Sequence, residues 1–118
     1  MPQGTGKVGV GVASPHTLLQ VAGPVATPIA TKTTGYPITG SDSVILADAT
    51  TAAFNVTLPT AVGISGRQYT IKRINGGANN VTLNTTSSQT IDGVTTKVLN
   101  AQYASVTVVS DGANWMIV

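Results

Sequence analysis

The stretch Phe54-Asn55-Val56-Thr57-Leu58-Pro59-Thr60 decides the fold class of this chain. Apolar and polar side chains alternate along it with the two-residue period of a half-buried strand, and a proline closes it. Its run from Asn55 to Thr60 has an echo in Asn80-Val81-Thr82-Leu83-Asn84-Thr85. Two copies are too few to announce a solenoid, and chance repetition among Val- and Thr-rich strands explains the echo as well as duplication does. The alternation returns at Tyr69-Ile71, Val106-Val108 and Trp115-Ile117, which with Phe54, Val56, Leu58, Val81 and Leu83 make one buried face. Asn55, Thr57, Thr70, Lys72, Thr82, Thr107 and Asn114 then face outward.

Turn residues punctuate the chain on either side of these runs. Gly63-Ile64-Ser65-Gly66, Asn75-Gly76-Gly77, Asp92-Gly93 and Asp111-Gly112 all supply residues that tolerate positive φ. Strands are therefore expected near 43–47, 53–58, 67–74, 79–83, 89–92, 98–101, 104–110 and 114–118. Short strands at such spacing are the mark of an all-β antiparallel sandwich or barrel-like domain, here over residues 41–118.

Residues 1–40 have another texture. Pro2, Pro15, Pro24, Pro28 and Pro37 leave no room for a helix of ordinary length. Val8, Val10, Val12, Leu18, Leu19, Val21, Val25 and Ile29 are nevertheless more apolar than a solvated linker carries. An extended Gly/Pro-rich arm that cannot bury itself is expected to pack on a neighbouring chain or an underlying surface.

Composition points the same way. At 118 residues the chain has room for one core. Charged residues are 8% of it, against roughly 25% in an ordinary soluble domain, and there is no Glu. Thr and Ser supply the polar surface instead. With one Trp, one Phe and three Tyr, the core rests on aliphatic side chains worth about 1.5–3 kcal/mol each when fully buried. Such a thin core is of the kind that obligate oligomers supplement between chains.

Most chemistries are hard to build from these residues. The net charge of +2 is spread thinly, and only Lys72-Arg73 approaches a basic patch, so nucleic acid is not an expected partner. The absence of cysteine removes disulfides and thiolate metal sites, and His16 is the only histidine. Gly4, Gly6 and Gly9 spell G-x-G-x-x-G but lack the strand before, the helix after and the acid beyond that a dinucleotide site requires. Ser14-Pro15-His16 has no acid nearby to orient an imidazole. Asp42, Asp92 and Asp111 sit in turn contexts, and Asp48 before Ala49-Thr50-Thr51 fits the same role. No enzyme site, cofactor or metal is expected. Asn55, Asn80 and Asn84 begin glycosylation sequons, but Met1-Pro2-Gln3-Gly4 does not open like a secretory signal. No segment has the ~20 apolar residues of a membrane span.

Two stretches resemble modules of bacteriophage fibres and related virion appendages. Val8-Gly9-Val10-Gly11-Val12-Ala13-Ser14-Pro15, followed by Leu18-Leu19-Gln20-Val21-Ala22-Gly23, is similar to a V-G-I-G-T-x-S-P-x-x-x-L-x-V-x-G segment of fibre-like surface proteins, where short strands wrap a threefold axis. Val12-Ala13 departs mildly from the usual Thr pair. The order from Ser43 through Phe54-Asn55-Val56-Thr57-Leu58-Pro59, Gly66-Arg67-Gln68-Tyr69-Thr70-Ile71-Lys72 and Thr90-Ile91-Asp92-Gly93 to the closing Ser110-Asp111-Gly112-Ala113-Asn114-Trp115 resembles a β-rich domain of tail-fibre, head-fibre and capsid decoration proteins, generally trimeric.

The resemblance implies a non-enzymatic homotrimer on the phage particle surface, made in the host cytoplasm without a signal peptide. Its N-terminal arm would anchor it to capsid or tail proteins. Assembly and anchoring fall to Val8, Gly9, Val10, Gly11, Ser14, Pro15, Leu18, Leu19 and Val21. The alternative is a receptor- or glycan-binding tip module of a tail fibre, whose partner is a host surface glycan and whose ligand-facing residues are Tyr36, Tyr69 and Tyr103.

Overall fold

A computed structural model describes residues 6–118 of the chain, so the readings placed on Met1 to Gly4 lie outside the described residues. The chain is all-β. Its strands in order are β1 (Val8–Val10), β2 (Leu19–Val21), β3 (Ile29–Lys32), β4 (Tyr36–Pro37), β5 (Val44–Ala47), β6 (Phe54–Thr57), β7 (Gln68–Arg73), β8 (Val81–Asn84), β9 (Thr96–Leu99), β10 (Ser105–Ser110) and β11 (Trp115–Ile117). They form a two-stranded ribbon, a five-stranded sheet ordered β11-β10-β7-β5-β3, and a four-stranded sheet ordered β4-β6-β8-β9.

From β3 to β8 consecutive strands alternate between the two larger sheets, so the chain winds around the core. The antiparallel expectation is therefore corrected over this half: β3, β5 and β7 run parallel, and so do β4, β6 and β8. A connection that passes through the opposite sheet brings the chain back in its original direction, whereas a hairpin reverses it. Asn75-Gly76-Gly77 thus makes a crossing between sheets and not a hairpin. Antiparallel pairing between strands comes only with β9 on β8, β10 on β7 and β11 on β10, where the chain finishes. Both larger sheets are open, with no closed barrel among the described residues.

The echo noticed in the sequence is made of neighbours. β6 and β8 lie side by side, with Val56 beside Leu83 and Phe54 beside Val81. The sequence alignment of the two runs pairs Val56 with Val81, a shift of two residues, and a shift of two keeps every side chain on its own face. Residues 29–37, on the arm side of the expected division at 40, supply β3 and β4, the edge strands of both sheets.

The expected buried face holds. Val56, Leu58, Ile71, Val81, Leu83, Val108 and Trp115 are fully buried, with Ile45, Ala47 and Ala49 beside them, while Phe54 and Ile117 pack on the rim. Trp115 stacks tilted against Tyr69 at 5.6 Å between ring centroids, and its Nε1 donates to the Pro59 carbonyl at 3.2 Å. Aliphatic burial sets the core, and one aromatic pair closes it.

Buried polar groups fix the loops. Arg73, half of the one pair that approached a basic patch in the sequence, is 1% exposed. Its guanidinium donates to the carbonyls of Asn75, Gly77 and Leu99 and to Asn80 Oδ1, at 2.7–3.2 Å. All these acceptors are neutral, and their number offsets the cost of burying the charge. Asn75 accepts from the Ala49 amide at 2.9 Å and donates to the carbonyls of Gly76 and Asn79. Across the sandwich, Gln89 ties Thr60 and Ala61, and Ser110 donates to the Ala61 carbonyl.

The expected strand over 89–92 reduces to a single bridge at Ile91, which pairs with Val94 around an Asp92-Gly93 turn and with Trp115. The strand expected over 98–101 sits two residues earlier as β9, because Ala101 to Ala104 form a turn with Tyr103 at φ 67°.

Candidate functional site

The N-terminal ribbon places the expected assembly residues on one short element. β1 and β2 run parallel, with Val8 beside Leu19, Gly9 beside Gln20 and Val10 beside Val21. The period of two then puts Val8, Val10, Leu19 and Val21 on one face and Gly9 with Gln20 on the other. The connecting loop tucks under the Gly9 face. A Cβ at Gly9 would lie against the Val12 carbonyl and 2.7 Å from Pro15 Cγ, so only glycine fits there. Gly11 turns the chain at φ 71°. Ser14 is exposed and Pro15 is half-buried in the loop.

The covered side of the ribbon is the glycine side, and the apolar side is left open. Val10 is 55% exposed and Leu19 63%, while Val8 and Val21 are half-buried. A two-stranded ribbon is marginal in water without a covered face. Residues 22–28 then run on exposed, without strand pairing, to β3. His16 is exposed, its backbone amide donates to Gln20 Oε1 at 3.0 Å, and no hydrogen bond links it to Ser14 among the described residues.

The three tyrosines do not converge on one groove. Tyr69 is 2% exposed and its hydroxyl donates to the Thr39 carbonyl at 3.2 Å, so it is corrected from a ligand-facing to a core position. Packing against Trp115 takes its ring out of reach. Tyr103 is 60% exposed, with the Lys72 ammonium 5.5 Å from its ring centroid. Tyr36 is half-buried at the first turn of the winding.

Around Tyr36 the open end of the sandwich is filled by polar groups. The Tyr36 hydroxyl donates to Asp42 Oδ2 at 2.8 Å, as does the Thr39 amide. Arg67 donates to the Asp42 carbonyl and lies 4.8 Å from the Tyr69 ring centroid. Lys32, in the inward phase of β3 beside Ala47, sets its ammonium 4.2 Å from the Tyr36 ring centroid. Burial pushes the Asp42 carboxyl up, but the hydrogen bonds from Thr39 and Tyr36 and the charge of Lys32 outweigh it and hold it below the usual carboxylate range. The same bond to Asp42, with burial and the carboxylate charge, pushes the Tyr36 phenol up.

No family model, curated protein or solved structure matches this chain. The other aspartates keep to turns: Asp48 accepts from the Thr50 amide and hydroxyl, Asp111 from the amides of Ala113 and Asn114, and Asp92 from the amide of Ile117. The Asp48 and Asp111 carboxylates are thus committed to their own turns, and that of Asp92 to the strand β11 beside it. Among the described residues no three acidic or histidine side chains gather as a metal site, and no helix is long and apolar enough to cross a membrane.

One cleft of about 310 Å³ lies where the β3–β4 turn meets the β5–β6 connection. Thr33, Thr34, Gly35, Thr51, Ala52, Ala53 and Phe54 line it, without a charged group. Sequence reasoning missed this cleft because its residues carry no reactive chemistry; the signal available was the cluster of threonines and small residues on either side of two turns.

Proposed function

We propose that this chain is a non-enzymatic assembly module, a homotrimeric virion surface protein of the capsid decoration, head-fibre or short tail-fibre kind, anchored to its particle through the N-terminal segment. The observation that carries the reading is the ribbon whose glycine face is covered by its own loop and whose valine and leucine face is open. An apolar face of that kind on so small an element is stable when something covers it. The low charge of the chain and the resemblance of residues 8–23 and 43–118 to phage fibre modules supply the setting and the threefold symmetry. Deleting residues 1–23 is expected to abolish attachment to the particle and to leave a soluble trimer; attachment that survives the deletion would overturn the anchoring role.

A glycan-binding tip is the second reading, and the cleft favours it over any site at the tyrosines. Phe54 offers a partly open ring, and Thr33, Thr34 and Thr51 offer hydroxyls, in a volume suited to a sugar. Filling the cleft with Ala52→Trp should then remove signals from a glycan array; a wild-type chain silent on such an array would dismiss this reading.

A further inference from the structure

The winding leaves a second apolar surface, on the outside of the five-stranded sheet. β5 reads Val44-Ile45-Leu46-Ala47, apolar on both sides. Ile45 and Ala47 point into the core, so Val44 and Leu46 point out. Register extends their rows: Ile29, Val44, Thr70 and Thr107 lie side by side, then Thr31, Leu46, Lys72 and Ser105, then Gln68, Val109 and Met116. An unbroken apolar run is the pattern of a parallel strand covered on both faces, and one chain covers β5 on one face alone.

We infer that this outer face is the contact between copies of this chain, an inference that rests on the homotrimeric reading above. Its charge content selects the partner. Lys72 is the only charged side chain in those rows, and it is turned to the edge, where it donates to the Tyr103 carbonyl at 3.3 Å. The Thr70 and Thr107 hydroxyls bond each other at 2.8 Å, so one of the two O–H donors is already satisfied within the chain. A charged partner finds little here to pair with. A second copy of the same charge-poor face meets no repulsion and leaves few polar groups unpaired. The inference also divides the labour: the sheet face joins copies, and the ribbon holds the particle.

The test is the mass of the full-length chain by light scattering coupled to size exclusion, for four proteins. The wild type should run at three times 11.9 kDa. Ile29→Glu with Met116→Glu places charges at positions already 64% and 43% exposed, where folding is not at stake. It should fall to a single chain with the fluorescence of buried Trp115 unchanged. Leu46→Lys with Val109→Lys should do the same from the centre of the face. The chain lacking residues 1–23 should keep the wild-type assembly. Face variants that retain the wild-type mass, or an arm deletion that alone yields single chains, would overturn the sheet-face contact while leaving the homotrimer standing. A wild type that is itself a single chain overturns the homotrimer and the contact together.

Discussion

The ribbon of residues 8–21 and the sandwich of residues 29–118 are built from the same aliphatic side chains and treat them in opposite ways. In the sandwich Ile45, Val56, Leu83 and Val108 are fully buried, while in the ribbon Val10 and Leu19 are more than half exposed. The difference is not hydrophobicity but company. The inner strands β5, β6, β7 and β8 each have a neighbour on both sides and a second sheet beneath them, and the ribbon has only its own loop. Stability is therefore expected to reside in one region and adhesion in the other.

Substitutions in each region should separate these roles most widely. Trp115→Ala is expected to destabilise the fold by about 3–5 kcal/mol, read as a lower midpoint in chemical denaturation. The truncation removes the ring against Tyr69 and frees the Pro59 carbonyl. Asn75→Ala should cost about 1–3 kcal/mol by leaving the buried Ala49 amide without its acceptor. Replacing Ser87-Ser88 by Asn-Gly should raise stability by about 0.5–1 kcal/mol, because both serines hold positive φ in a two-residue turn closed by Gln89 on Thr86. Leu19→Ala, at the far end of the scale, should change stability by less than about 0.5 kcal/mol and, on the proposed anchoring role, still weaken attachment to a particle. A large stability loss at Leu19 would erase the contrast between the regions.

Titration sharpens the contrast further, since the perturbed groups belong to the sandwich. Asp42, Asp48 and Asp111 are all held below the ordinary carboxylate range. For Asp42, burial alone raises the carboxyl and is outweighed by its hydrogen bonds and by Lys32. For Asp48 and Asp111 the hydrogen bonds from Thr50 and from Asn114 and Ala113 dominate. A depressed folded value means stability that is present above about pH 4 and lost as pH falls through the lowered values. Tyr36 has the opposite sign, its contribution being present below about pH 10 and lost above it as the raised phenol ionises. Urea midpoints measured across pH should fall at both ends, and Asp42→Asn should flatten both slopes; midpoints indifferent to pH would show that this cluster adds nothing to stability.

What could be read from the sequence was local. Alternation located β6, β7, β8, β10 and β11 to within a residue or two, and Asp111-Gly112 marked a true hairpin. Strand direction was not legible, because Val56 points inward whether its neighbour runs with it or against it. Long-range pairing settles direction, and it showed only as the echo between residues 55–60 and 80–85. The burial of Arg73 was not legible for a related reason: the four acceptors around its guanidinium come from the loop before β8 and from β9. On the ribbon, the pairing of β1 with β2 and the face it opens were not legible.

The polar filling at the first turn of the winding has a consequence for growth. Parallel strands that coil around a core carry no built-in stop, and the free rims of β3 and β4 offer hydrogen bonds to any strand arriving in register. Lys32, turned inward at that rim, and Pro37, which has no amide to donate, make the end a poor template for another coil. A strand arriving at this end finds few bonds to make, so a structure whose inner logic is repetition carries its own stop there.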